Sequence, residues 1–245
     1  MGGSVGWNTS LRERGQAAWG FLTQALSELL FPGPWIGLGY NRSCTCKENA
    51  TLRKAGGTLE CMTGLLEHVF TVEEWDEMGR TGVFGEDARV ELIEGRIVDM
   101  NPIGDWHASC VGRLNQMFVL LLQESAIVFP QNPVRLSRYS EAQPDLALLR
   151  RKDDFYRSGR PGPSDILLVV EVADTSLGHD MTKALYYARA GIVQYWIVDL
   201  NGERVIDFTD PAEDGYGAER EVRADGQLTV NALPQIKLTV AQIFG

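Results

Sequence analysis

The strongest patterning of apolar and polar positions lies between residues 165 and 199. Ile166–Val172 is an apolar run interrupted only by Glu171. A run this short and this rich in Val predicts a strand buried on both faces. A carboxylate near the end of such a strand must be neutralised, paired or held by a cation. Asp174, Thr175, Ser176 and Gly178 read as a loop, and a helical pattern follows from about Asp180 to Ala190, stopping at Gly191. Asp180, Lys183, Ala184 and Tyr187 recur at helical spacing and share one face. Gln194–Asp199 is a second strand. A right-handed crossover lays the helix back over the sheet, so Lys183 is expected close to Glu171.

The same reading extends through the rest of the chain from Glu67 onward. Thr71 with Glu74 is a capping-box signature, opening a short helix over Val72–Met78. Residues 88–102 alternate on both sides of Glu94-Gly95 and predict a hairpin. Residues 107–124 carry the stripe of an amphipathic helix. Residues 127–137, broken by Pro130 and Pro133, predict two edge-strand pieces. Asp145 then opens the short strand LALLR, and 150–165 is a charged loop. Val205–Phe208 extends or pairs with the preceding strand, and 211–217 reads as a loop. Glu219–Arg223 and Gln227–Val230, around Asp225-Gly226, predict a second hairpin before an apolar tail over 233–244. Strands alternating with helices in this way predict an α/β (mixed α+β) domain over 65–245, a central mixed sheet flanked by helices with extra hairpins at its ends.

Residues 1–64 break the pattern. They hold six of the 23 Lys and Arg but four of the 33 Asp and Glu, so this segment is +2 and the remainder −12. It reads as a poorly ordered extension with one helix over Gln16–Phe31. An upstream start codon assigned in error would look the same. Thr23, Gln24, Ser27 and Glu28 interrupt the apolar stretch, and no small-residue cleavage site follows, so a signal peptide is not expected. Cys44, Cys46, Cys61 and Cys110 lack zinc-ligand spacing and are expected as reduced thiols in a cytoplasmic protein. No apolar stretch is long enough for a membrane-spanning helix. With a net charge of −10, no large basic face for gripping nucleic acid is evident, so any phosphate contact is expected to be local and helped by metal.

The candidate chemistry is carried by acids at strand ends or within a hairpin, Glu91, Asp145 and Glu171, and by Lys183 on the adjoining helix. If the strands bearing Asp145 and Glu171 are neighbours, their carboxylates converge. Like charges that close raise one pKa unless a cation intervenes. Mg²⁺, a hard cation that uses one or two carboxylates plus substrate phosphate, suits that position, and Mn²⁺ can replace it. A lysine beside it supplies charge for a phosphate oxygen or an attacking hydroxide. These are the parts of metal-assisted phosphodiester hydrolysis.

Pro144-Asp145, then Glu171 at the end of an apolar strand, then a lysine, resembles the PD-(D/E)XK nuclease superfamily. Within it the chain is most similar to the bacterial Uma-type family of restriction-endonuclease-like proteins. The matching stretches are FTVEEW near 70, RVELIEGRIVDMNPIG from 89, His107, PDLALL from 144, VVEVADTS from 169, Asp180 with Lys183, and YARAGIVQYWIVD from 187. The resemblance spans about 67–245. It implies a Mg²⁺-dependent endonuclease acting on DNA, with Asp145 and Glu171, joined by Glu91, as metal ligands. The superfamily lysine normally stands two residues after the second acid. Ala173 holds that position here, and Lys183 fits a lysine migrated to the next helix. His107, Asp180 and Tyr187 are further candidates for the site. Arg150, Arg151, Lys152, Arg157 and Arg160 form the densest basic cluster and are candidate phosphate contacts, against a plain reading as a solvated loop. A homodimer would suit a cutter of double strands. The competing reading is a nuclease fold without catalysis, in which Lys183 and Glu171 form a buried structural pair and the chain binds nucleic acid or protein.

Overall fold

The computed structural model describes residues 67–85 and 87–245. The chain divides into two units, Met1–Cys61 and Met62–Gly245, and the described residues belong to the second. The expected helix over Gln16–Phe31 and three of the four cysteines lie outside the described residues. Cys110 is a free, buried thiol, and burial pushes its pKa up to about 11.

The described elements follow the predicted order. Helix α1 (Val72–Arg80) is capped as expected: the Glu74 N–H donates to the Thr71 hydroxyl, and the Thr71 N–H donates to the Glu74 carboxylate. Strands β1 (Val90–Ile93) and β2 (Arg96–Asp99) form the first hairpin. Helix α2 spans Asp105–Leu122. Strands β3 (Ala126–Pro130) and β4 (Val134–Ser137) are two separate edge pieces, as the prolines require. Strand β5 (Ser140–Ala142) was not anticipated: three residues give no readable period. Strands β6 (Leu146–Arg150) and β7 (Ile166–Ala173) precede helix α3 (Leu177–Arg189) and strand β8 (Gln194–Asp199). Helix α3 begins before Asp180 because Gly178, read as a loop residue, is taken into its first turn.

The predicted second hairpin is corrected. Strand β9 (Arg204–Ala212) pairs along its whole length with β10 (Gly215–Arg223), so the turn falls at Glu213-Asp214. Residues 227–230 form β11, which pairs with β12 (Leu233–Thr239), and helix α4 (Val240–Phe244) closes the chain. Asp225-Gly226 is a tight turn, with the Gly226 N–H bonded to the Arg223 carbonyl, but it passes the chain from one sheet to another. Pairing β10 with the Val205–Phe208 run sets Val222 against Val205 in the core, which a 219–223/227–230 hairpin would forgo.

The main sheet has order β10-β9-β8-β7-β6-β3, antiparallel except for the parallel β7/β8 pair. A second sheet runs β2-β1-β5-β4. Side-chain alternation gives the main sheet two apolar faces. Leu146, Leu148, Leu168, Val170, Trp196 and Val198 pack with Leu114 and Phe118 of α2. Ala147, Leu149, Val169, Ala173, Tyr195 and Ile197 pack with Ala184 and Tyr187 of α3 and with Ile93 and Leu136 of the second sheet. The expected central mixed sheet flanked by helices is thus present. Among the described residues, no helix is long and apolar enough to cross a membrane.

Candidate active site

Register and parity place the two principal acids. In the antiparallel β6/β7 pair Leu146 stands opposite Val170, so Asp145 and Glu171 are the next partners at that end. Both share the parity of the α3-side residues, Asp145 with Ala147 and Glu171 with Val169. The Asp145 N–H donates to Glu171 Oε2 at 3.1 Å, and the Val172 N–H donates to Asp145 Oδ2 at 2.8 Å. Glu171 is 4% exposed.

Helix α3 brings the lysine. Asp180, Lys183, Ala184 and Tyr187 are all buried on the face turned to the sheet, as their spacing predicts. Lys183 Nζ donates to Glu171 Oε1 at 3.0 Å and to Glu91 Oε1 at 2.9 Å. The Tyr187 hydroxyl donates to the same Glu171 oxygen at 2.9 Å. Glu91, on β1, also accepts the Gln143 N–H at 2.7 Å. Its Oε2 is 2.9 Å from Nζ yet lacks a well-directed hydrogen bond. Glu91 therefore lies behind Lys183 and is 1% exposed. His107, in the first turn of α2, places Nε2 at 2.9 Å from Asp145 Oδ2, while its Nδ1 is buried without a partner. The Ser176 hydroxyl donates to Asp180 Oδ2 at 2.5 Å.

The electrostatics follow from burying Glu91, Glu171 and Asp180 around one ammonium, with the half-buried Asp145 beside them. Burial pushes the Glu171 carboxyl up to about 8, against the pull of Lys183 and with the charges of Asp145, Asp180 and Glu91 adding to the rise. Burial likewise raises Asp180, opposed by the Ser176 hydrogen bond and by Lys183. Burial alone would discharge Lys183, but Glu171 and Glu91 outweigh it and hold the ammonium protonated. The hydrogen bond to Asp145 raises His107, with burial opposing. Burial pushes the Tyr187 phenol well up, which keeps it a donor to Glu171.

These groups meet at a cleft of about 40 Å³ lined by Asp145, Glu171, Asp180 and Lys183, with Arg89, Met100, Asn101, Ser176 and His179 completing its walls. A larger cavity of about 420 Å³ lies elsewhere, beside Leu136, Tyr139 and Tyr186, and holds none of the acids. The expected basic cluster is not brought to the cleft. Arg150 ends β6 and Asp145 precedes its start, so the loop after β6 begins about 16 Å from the acids at a strand's rise per residue. Arg150 donates to the Ser164 carbonyl, and Arg160 pairs with Asp76 and Glu141. Arg151 and Lys152 lie over the rings of Phe155 and Tyr156, and Arg157 is exposed on the same loop. Arg89 and His179 at the cleft were missed. The signal for Arg89 was period two with Glu91, and for His179 it was i, i+4 with Lys183.

A family model described as Uma2, putative restriction endonuclease, matches residues 72–241. The chain belongs to this family. The matched span runs from α1 to α4 and takes in every residue of the cleft. No curated protein matches the chain. Among solved structures, it is similar to a putative nuclease of the DUF820 group from Anabaena variabilis ATCC 29413. That protein is 14% identical, with a TM-score of 0.57, and the match covers 71% of this chain and 97% of the other. At that identity the likeness is one of fold. It agrees with the restriction-endonuclease-like architecture expected of the family.

Proposed function

We propose that the chain is a Mg²⁺-dependent endonuclease that hydrolyses DNA phosphodiester bonds at this cleft. The observation that carries the reading is the convergence of Asp145, Glu171 and Asp180 with a buried lysine on one small cleft, in a member of a restriction-endonuclease family. The donor set suits a hard divalent cation. Its ligands are carboxylate oxygens, and Asp145, Glu171 and Asp180 line the cleft together, with burial raising Glu171 and Asp180. Asp145 and Glu171 would hold the metal, with Asp180 as a third carboxylate on the wall. Glu91, expected among the ligands, instead anchors Lys183. Bound there, Mg²⁺ would polarise the phosphate and lower the pKa of a water molecule.

The chain's own residues supply the rest. Val172 N–H and His107 fix one oxygen of Asp145, leaving Oδ1 for the cleft. Tyr187 and Lys183 fix Glu171. Lys183, held by Glu91, stabilises charge developing on the phosphate. The test is plasmid cleavage with Mg²⁺ by the unaltered protein and by Asp145→Ala. Cleavage lost in the variant supports the reading; equal rates, or no cleavage by either, reject it.

A second reading is favoured by one observation. Both Glu171 oxygens already accept hydrogen bonds, from Lys183 and Tyr187 on one side and from Asp145 N–H on the other. Among the described residues, no group of three or more acids, His or Cys stands ready-spaced for a metal. A catalytically silent module closed by its own lysine has this arrangement. Metal-linked melting separates the two, because a cation at a hundred times its dissociation constant adds about 2.7 kcal/mol to an active site. The silent module gains nothing from Mg²⁺ or Mn²⁺.

A further inference from the structure

The cleft's own dimensions say where a substrate has to be met. Its narrow part, about 40 Å³, holds a cation and a few waters, and the cleft opens to solvent beyond it. A phosphodiester reaching that cation comes in from the open side, past the lining side chains that reach solvent. Lys183 does not grip the backbone directly: it is 4% exposed and flanked by Glu91 and Glu171, and it acts on the scissile phosphate through its charge. The basic loop after β6 is at the far end of its strand. The lining holds three further side chains that carry N–H donors and reach solvent, Arg89, His179 and Asn101, and of these only Arg89 and His179 can carry positive charge.

Arg89 immediately precedes β1, and the Met100 N–H bonds its carbonyl at 2.9 Å, so the hairpin ladder continues through it. It shares the parity of Glu91. Glu91 reaches inward to Lys183, and one step toward the open end of the hairpin Arg89 reaches the mouth. One guanidinium nitrogen donates to the Asn101 carbonyl at 2.8 Å, which fixes the side chain along the rim. Among the described residues Arg89 forms no ion pair, although Asp145, Asp180 and Glu171 line the same cleft. Its remaining N–H donors keep the fork that matches a phosphate. His179 lies one helical turn before Lys183 on α3 and opens on the same cleft. Its side chain makes no hydrogen bond among the described residues, and an imidazole offers an N–H in either charge state.

We propose that Arg89 and His179 are the phosphate-contacting pair of this cleft, gripping the DNA backbone at or beside the bond to be cut. The inference rests on the nuclease reading and adds the residues that seat its substrate. A protein of net charge −10 repels DNA at long range, so its grip depends on a few such local contacts. Each phosphate neutralised by a cation contributes about 0.9 to the slope of log affinity against log salt.

The test is fluorescence anisotropy with a labelled DNA duplex, with Ca²⁺ replacing Mg²⁺ to keep the duplex uncut, over a series of NaCl concentrations. Arg89→Gln keeps an N–H for the Asn101 carbonyl and removes the charge. It is expected to weaken binding to all sequences alike and to reduce the slope by about 0.9, whereas Arg89→Lys retains the slope. His179→Ala is expected to weaken binding about two- to tenfold, the worth of one hydrogen bond. An Arg89→Gln protein that melts like the unaltered one and keeps its full slope overturns the assignment of Arg89. Unchanged affinity in His179→Ala overturns that of His179. In both cases cleavage by the unaltered protein leaves the nuclease reading standing. Failure of the unaltered protein to bind or cut DNA overturns both.

Discussion

Lys183→Met tests the electrostatic core of the site most directly. Methionine retains an unbranched apolar stem and deletes the ammonium, so packing changes little and charge changes by one. In the unaltered protein Glu91 and Glu171 share that one cation, each within 3.0 Å of Nζ. Without it the folded state must bind one further proton, whichever carboxyl carries it. A carboxyl with a pKa of 4.5 in the unfolded chain costs about 3 kcal/mol to hold protonated at pH 7. The figure agrees with the roughly 3–5 kcal/mol known for removing one partner of a buried pair.

The sign follows from proton counting. A carboxyl raised on folding binds its proton in the folded state and releases it in the unfolded state above pH 4.5. Stability is then lost as pH rises toward the folded-state value. Glu171, raised to about 8, makes the unaltered protein itself lose stability between pH 4.5 and 8 from this group. In Lys183→Met the loss is steeper by one proton. The variant's deficit is expected to shrink from about 3 kcal/mol at pH 7 to under about 1 kcal/mol at pH 5. Urea unfolding at pH 5, 6 and 7, followed by tryptophan fluorescence with Trp196 fully buried as a reporter, measures it. A deficit under about 1 kcal/mol at pH 7, or one that does not shrink in acid, would show that the ammonium does not compensate these carboxylates.

Two further expectations concern the frame around the site. Asp207 accepts from Gln194, Trp196 and Arg220 while 6% exposed; Asp207→Asn puts an amide N–H₂ among these donors and should cost about 2–3 kcal/mol in urea unfolding. Gly95 turns the β1/β2 hairpin at φ +75°, where an added Cβ would stand 2.1 Å from a Val69 methyl and 3.0 Å from the Phe70 backbone. Gly95→Ala should therefore lower stability by more than about 1 kcal/mol in a thermal melt, and an unchanged melting temperature would contradict the close approach.

Much of this arrangement was legible in one dimension. The β7–α3–β8 unit followed from an apolar run, a helical face and a glycine stop. The burial of Asp180, Lys183 and Tyr187 followed from their spacing alone, because the period of a helix is set by its backbone. The pairing of Asp145 with Glu171 needed only that β6 and β7 be neighbours, since parity then puts both on one face. The first hairpin and the α1 cap were read from local chemistry that acts within a few residues.

What local pattern could not supply was the choice among competing long-range partners. Asp225-Gly226 looks like a hairpin turn, yet β10 gains more by lying along β9. The basic run from 150 to 160 looks like a phosphate-binding loop, yet strand direction carries it to the far end of the sheet. Glu91, Lys183 and Glu171 are separated by tens of residues, and only the packing of the second sheet over α3 sets Glu91 behind the lysine. Sequence alone determined which residues could be acids, donors and buried faces, because those are properties of side chains and short periods. The tertiary structure decided which of them share a cleft, because that depends on sheet order and on which partner buries more apolar surface.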